Sequence, residues 1–238
     1  MLRPVSTAAA ATMMAAFLLP WPSIAADQPV RADVWTIAIG QPLADIPDGF
    51  ADFACGSNGG PPALALTGFA DFMQCPAEPS GWHEVYFRYD DEFEYWARAN
   101  NLDLQVAASG TKVYDLPVIM SVLISDDGIV EGLRLISDPR DSSVRREDAR
   151  FLQPFLLSRF RPRDGGDWTC TDLPAAEGES PVNGVFLKQD CTLTRDGMDY
   201  AIEARYLRGA GQRQVDLHTG QFTEGQFDST VRFEMHLS

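Results

Sequence analysis

The sequence predicts an α+β protein: helices packed on antiparallel sheet, in two tandem disulfide-stapled units, the C-terminal half mostly antiparallel strands. Three observations lead there. Four cysteines fall into two local pairs, Cys55/Cys75 and Cys170/Cys191, one in each half of the chain. Residues 82–89 and 226–237 alternate apolar and polar side chains, the period of a half-buried strand. Residues 64–73 and 143–160 instead space their apolar side chains as a helix does.

Residues 1–26 read as a secretory leader. They carry one basic residue, Arg3, then an apolar stretch over 8–19, then Pro20 and Pro22 as breakers. Small residues follow, so cleavage after Ala25 or after Ala26 is expected. The apolar stretch is shorter than the roughly 20 residues a spanning helix needs. The mature chain is therefore expected to be periplasmic or secreted, with no membrane span.

Export decides how the cysteines are read. In an oxidising compartment an even set of thiols forms disulfides. Four cysteines allow three connectivities. The pairing Cys55–Cys75 and Cys170–Cys191 is favoured because each bridge closes a short loop within one apparent unit. No Cys-x-x-Cys pair occurs, and the bridges read as structural.

In the first unit, 27–140, residues 34–39 form a β-rich run and Pro42 opens a helical turn. Phe50, Phe53 and Cys55 belong to a short helix or a tight loop. A Gly/Pro turn follows over 56–62, and Leu64, Phe69, Phe72 and Met73 line a helical face. On 82–89, His83, Val85, Phe87 and Tyr89 face one way, and Trp82, Glu84, Tyr86 and Arg88 the other. Asp91 and Glu94 have the spacing of a reciprocal helix cap. Residues 117–124 and 129–136 form a hairpin whose turn holds Gly128. The second unit, 141–238, opens with a helix over 143–160 that Pro154 should kink or split. Strands at 183–194 and 198–208 follow, turning at Asp196-Gly197, and then the last strand.

The order Gly40-x-Pro42-Leu43-x-x-Ile46, the turn at 59–62, the strand 84–89 and the hairpin 121–136 resembles one known small fold. It is shared by the β-lactamase inhibitor protein and the lipoproteins that assist outer-membrane barrel assembly. The resemblance covers about residues 35–138 and implies a scaffold that binds proteins. The chain departs from it in lacking the lipoprotein cysteine after the leader and in the helix that starts at Asp91.

Charge narrows the partners. Removing residues 1–26 takes away one basic and no acidic residue, moving the net charge from −15 to −16. Such acidity argues against nucleic acid, whose phosphates need clustered Lys and Arg. It argues equally against an anionic membrane surface.

The favoured function is a non-catalytic exported binding or envelope-maintenance protein, with a protein partner in the cell envelope and no cofactor. Its binding residues are expected to be Trp82, Tyr86, Arg88, Tyr95 and Trp96, aromatics that can anchor a partner from an open sheet face. The alternative is a periplasmic hydrolase using His83 with a nearby Asp or Ser, although no Gly-x-Ser-x-Gly elbow is present. A weaker alternative is a hard cation held by Asp90, Asp91, Glu92 and Glu94. The glycine-rich run 55–60 has the composition of an anion-holding nest, and more simply of a loop closing the first disulfide.

Overall fold

A computed structural model describes residues 34–89, 92–102, 111–114, 116–139, 148–161, 167–211, 214–215, 222–223 and 225–238. Residues 1–26, expected as a leader, Asp90, Asp91, His218 and the expected helix start at 143–147 lie outside the described residues, as do the side chains of Glu92 and Glu94. Contacts divide the chain into residues 1–30 and residues 31–238, and the fold below is that of the second part.

The chain is mostly antiparallel β-sheet, which corrects the α+β expectation. The strands are β1 (Phe50–Cys55), β2 (His83–Tyr89), β3 (Lys112–Val113), β4 (Leu116–Ile124), β5 (Val130–Ser137), β6 (Thr169–Asp172), β7 (Leu187–Arg195), β8 (Met198–Gly209), β9 (Gln214–Val215), β10 (Phe222–Thr223) and β11 (Gln226–Leu237). One nine-stranded sheet runs β1-β2-β4-β5-β11-β8-β7-β6, with β3 beside β4; β9 and β10 pair separately. Two short α-helices are described, α1 (Glu92–Ala99) and α2 (Leu152–Arg159).

The tandem-unit expectation is corrected by one strand. β11 lies between β5 and β8, pairing Phe233 with Leu135 on one side and with Ile202 on the other. Strands from both halves of the chain thus share one sheet. Each disulfide sits toward an opposite margin of it, Cys55–Cys75 at β1 and Cys170–Cys191 between β6 and β7.

The short helix or tight loop expected at Phe50, Phe53 and Cys55 is instead the strand β1. Asp52 has φ 54°, and the register gains one residue between Ala51 and Ala54. This bulge puts residues three apart on the same face of a strand. Phe50 and Phe53 therefore both reach Phe69, at 6.1 and 4.8 Å between ring centres. The helix expected over 64–73 is a short 3₁₀ helix, Phe69–Gln74, that packs its rings against β1 and β2. The run at 34–39, expected as strand, opens with a 3₁₀ turn at Val34–Thr36.

Pro154 stands early in α2, just after a 3₁₀ interruption at Ala149–Phe151. It is the third residue of α2, within the first turn, where the missing N–H has no helical partner to lose.

One face of the sheet carries the main core. Val85, Phe87, Met120, Val122, Leu133, Leu135, Ile202, Val231 and Phe233 are buried there with Leu152 and Leu156 of α2. Burying each such side chain stabilises by about 1.5–3 kcal/mol. Trp35 and Phe160 close over Phe233 at 6.1 and 5.0 Å, tying the 3₁₀ turn near residue 35 and the end of α2 to β11.

Candidate functional site

The opposite face of the sheet is polar, and its middle holds a buried arginine. Arg134 stands in β5 among apolar neighbours and points away from the main core, opposite Ser121 of β4 and Glu234 of β11. Its side chain is 4 % exposed. The guanidinium donates to both carboxylate oxygens of Glu78, at 2.7 and 3.0 Å. It also donates to Glu234 at 2.8 Å and lies 2.8 Å from Glu84. Glu84 is itself buried.

Arg232, the next polar-face residue along β11, reaches Glu234 at 2.6 Å and Glu203 of β8 at 3.5 Å. The Arg134 bond holds the Glu78 carboxyl below the ordinary glutamate range, against a smaller opposing effect of burial. Burial by itself would pull Arg134 down, but the bond to Glu78 and the charges of Glu84 and Glu234 more than offset it and raise its pKa.

The loop at 56–62 folds over this cluster. Asn58 donates its backbone N–H to Glu84 at 2.7 Å, and its side-chain oxygen accepts from Arg232 at 3.0 Å. Gly56 is required because the Glu84 side chain occupies the space a Cβ would take. The nest-like composition of 55–60 thus serves an anion of the protein itself, the Glu84 carboxylate. Beside the cluster, Tyr86, Ala54, Ile119 and Ile136 form a second small apolar core on the same face.

His83 lies on the other side of β2. Its Nδ1 is 2.7 Å from the carbonyl oxygen of Cys75, and its Nε2 is 2.9 Å from Asp126 in the β4–β5 turn. The ring meets Phe72 edge-on at 5.6 Å and is 6 % exposed. Both ring nitrogens face acceptors, so the imidazole ties the first disulfide loop to the β4–β5 turn.

The expected binding residues do not form one open face. Tyr86 is 5 % exposed, inside the second core. Trp82 is half-buried, its ring 5.3 Å from that of His236. Arg88 reaches Asp52 at 3.2 Å. Tyr95 and Trp96 do stand in water on α1, 77 % and 52 % exposed. Both expected disulfides are present, Cys55–Cys75 and Cys170–Cys191.

Of the acidic residues weighed for a cation, Asp90 and Asp91 lie outside the described residues. Among the described residues no group of three or more His, Cys, Asp or Glu side chains is arranged to hold a metal. No helix among them is long and apolar enough to cross a membrane.

Sequence reasoning missed the Arg134 cluster. One signal was readable: a lone arginine between Leu133 and Leu135 in β5. Nothing local in the sequence points to Glu78 or to Glu234, 100 positions from Arg134.

Comparison with known proteins gives no relative: no family model, no curated protein and no solved structure matches the chain.

Proposed function

We propose that this is an exported, non-catalytic binding protein of the cell envelope, periplasmic or secreted, which takes a protein partner through Tyr95 and Trp96 of α1. The observation that carries the reading is the exposure of these two adjacent aromatics, 77 % and 52 %, on the helix that follows β2. Exposed Trp and Tyr supply large contact area with few rotatable bonds and dominate binding hot spots. The two disulfides suit a chain that matures outside the reducing cytosol. The strong net negative charge favours a partner with a cationic rim.

The hydrolase reading has one observation in its favour, the His83–Asp126 pair at 2.9 Å. It is the weaker reading, because a general base needs one ring nitrogen for the reacting group. Here the Cys75 carbonyl and the Asp126 carboxylate occupy both.

The test is affinity capture from a periplasmic extract with the mature, oxidised protein, beside the Tyr95→Ser/Trp96→Ser variant. One stoichiometric protein partner held by the first and lost by the second, at unchanged melting temperature, supports the proposal. Equal retention by both, or a bound small molecule with no protein, overturns it.

A further inference from the structure

The two disulfides occupy opposite environments, and we infer that Cys170–Cys191 is a thiol–disulfide exchange site for a dithiol reductant, while Cys55–Cys75 is a permanent brace. Cys55 and Cys75 are both sealed in the main core, at 1 % and 4 % exposure. The carbonyl of Cys75 is also bound by His83. Nothing approaches that bridge without opening the core.

Cys170 lies on β6, whose four residues are all exposed and which, among the described residues, pairs only with β7. Cys191, its direct cross-strand partner, is 1 % exposed. The bridge thus offers one accessible end and one shielded end. Exchange needs in-line access to one sulfur and a leaving thiolate that its surroundings stabilise. Cys191 belongs to the main core, where burial disfavours a thiolate, and one amide donor at hand offsets that cost. Gln153 Nε2 lies 3.9 Å from Cys191 Sγ and donates toward it, while Gln189 Oε1, 3.4 Å away, can accept from the thiol once it is protonated. Of the nearby acids, Asp190 is paired with Arg205 at 2.7 Å, and Asp172 accepts from Gln189 at 2.7 Å and keeps its charge.

The step balances as follows. A thiolate of the dithiol attacks Cys170 Sγ; the Cys170–Cys191 bond breaks, and its electron pair leaves on Cys191 Sγ. The reductant's second thiolate then attacks its own sulfur in the mixed disulfide and releases Cys170. The two protein thiolates take up the two protons that the dithiol lost. The protein disulfide is reduced by two electrons and the dithiol is oxidised to its own disulfide.

The structural consequence is confined to one margin of the sheet. β6 contributes no buried side chain, so its detachment leaves the pairing of β7 with β8 and the core behind it intact. It uncovers the outer edge of β7 at residues 189–192, an unpaired edge of the kind that accepts another strand. This inference is independent of the partner site on α1.

The mature, oxidised protein is treated with graded dithiothreitol, quenched by acid, alkylated with iodoacetamide and mapped by peptide mass. Labelling of Cys170 and Cys191 at least about 10-fold faster than Cys55 and Cys75 is expected from their access alone. Equal rates, or faster loss of Cys55–Cys75, overturn the inference. With limiting glutathione, the first adduct is expected on Cys170; an adduct on Cys191 refutes the direction of attack. After selective reduction, amide exchange is expected to rise at 189–192 and stay slow at 85–87. Loss of protection throughout the sheet would make this bridge a structural brace and overturn the proposal.

Discussion

Arg134 Nε donates to Glu234 Oε2 at 2.8 Å across the β5–β11 junction, the line along which strands from the two halves of the chain join. Around that bond, one buried cation serves three carboxylates. Removing one member of a buried ionic cluster strands the others without counter-charge, at about 3–5 kcal/mol. Arg134→Met is therefore expected to lose about that much in urea unfolding. A loss below about 1 kcal/mol, the range of a surface ion pair, would show that the cluster is hydrated and contributes little.

The same cluster sets a pH dependence. The folded protein holds Glu78 below the ordinary value of 4.5, mainly through its bond to Arg134. A carboxylate depressed in this way contributes stability that is present above its unfolded pKa and is lost as pH falls through the folded one. The melting temperatures of the wild type and of Glu78→Gln are expected to differ at pH 6 and to converge as the pH drops below 4.5. A gap that widens on acidification would contradict the assignment.

His83 bridges Cys75 and Asp126, and its two bonds differ in worth. Replacing it with Leu leaves the Cys75 carbonyl unpaired in the interior, at about 1–3 kcal/mol. Asp126 is largely exposed, so Asp126→Asn is expected to cost less than about 1 kcal/mol. A double-mutant cycle by chemical unfolding measures the coupling. Strict additivity of the two substitutions would mean that the 2.9 Å contact carries no energy.

Gly59 fastens the loop over the polar face. Its φ is +90°, and an added Cβ would stand 2.6 Å from Ile136 Cδ1. Gly59→Ala combines left-handed backbone strain with displacement of a core methyl group, and a loss of about 1–3 kcal/mol is expected. Faster amide exchange at Asn58 and Glu84 would accompany it. Unchanged stability would mean that the loop does not rest on Ile136.

The sealed disulfide holds a loop whose ends are 20 residues apart. Cys55→Ser/Cys75→Ser is expected to lose about 3 kcal/mol by the loop-closure estimate. The loss should be read by thermal and urea unfolding alike, because the loop that covers Glu84 begins at this bridge. A melting temperature within error of wild type would deny it a bracing role.

Local features were legible from the residues alone. The alternation at 82–89, the hairpin turning at Gly128, the turn at Asp196-Gly197 and the last strand all appear where the pattern places them, because side-chain period and turn chemistry act over a few residues. The cysteine pairing followed from short-loop closure. Phe50 and Phe53, expected in a short helix or tight loop, lie on a strand whose bulge at Asp52 puts both on one face. The candidate site was legible only in part: Tyr95 and Trp96 stand in solvent, but Tyr86 does not.

By itself, then, the sequence determined the strands at 82–89, 117–136 and 226–237 and the turns at Gly128 and Asp196-Gly197, while short-loop closure only favoured one of three cysteine pairings. Only the tertiary structure decided that β11 would stand between β5 and β8, merging two apparent halves into one sheet. Hydrophobic alternation says which face of a strand is buried but carries no information on which strand lies beside it. That neighbour choice set Glu234 against Arg134 and, with the loop at 56–62 folded across, turned what the pattern reads as an open aromatic face into a closed ionic and apolar layer.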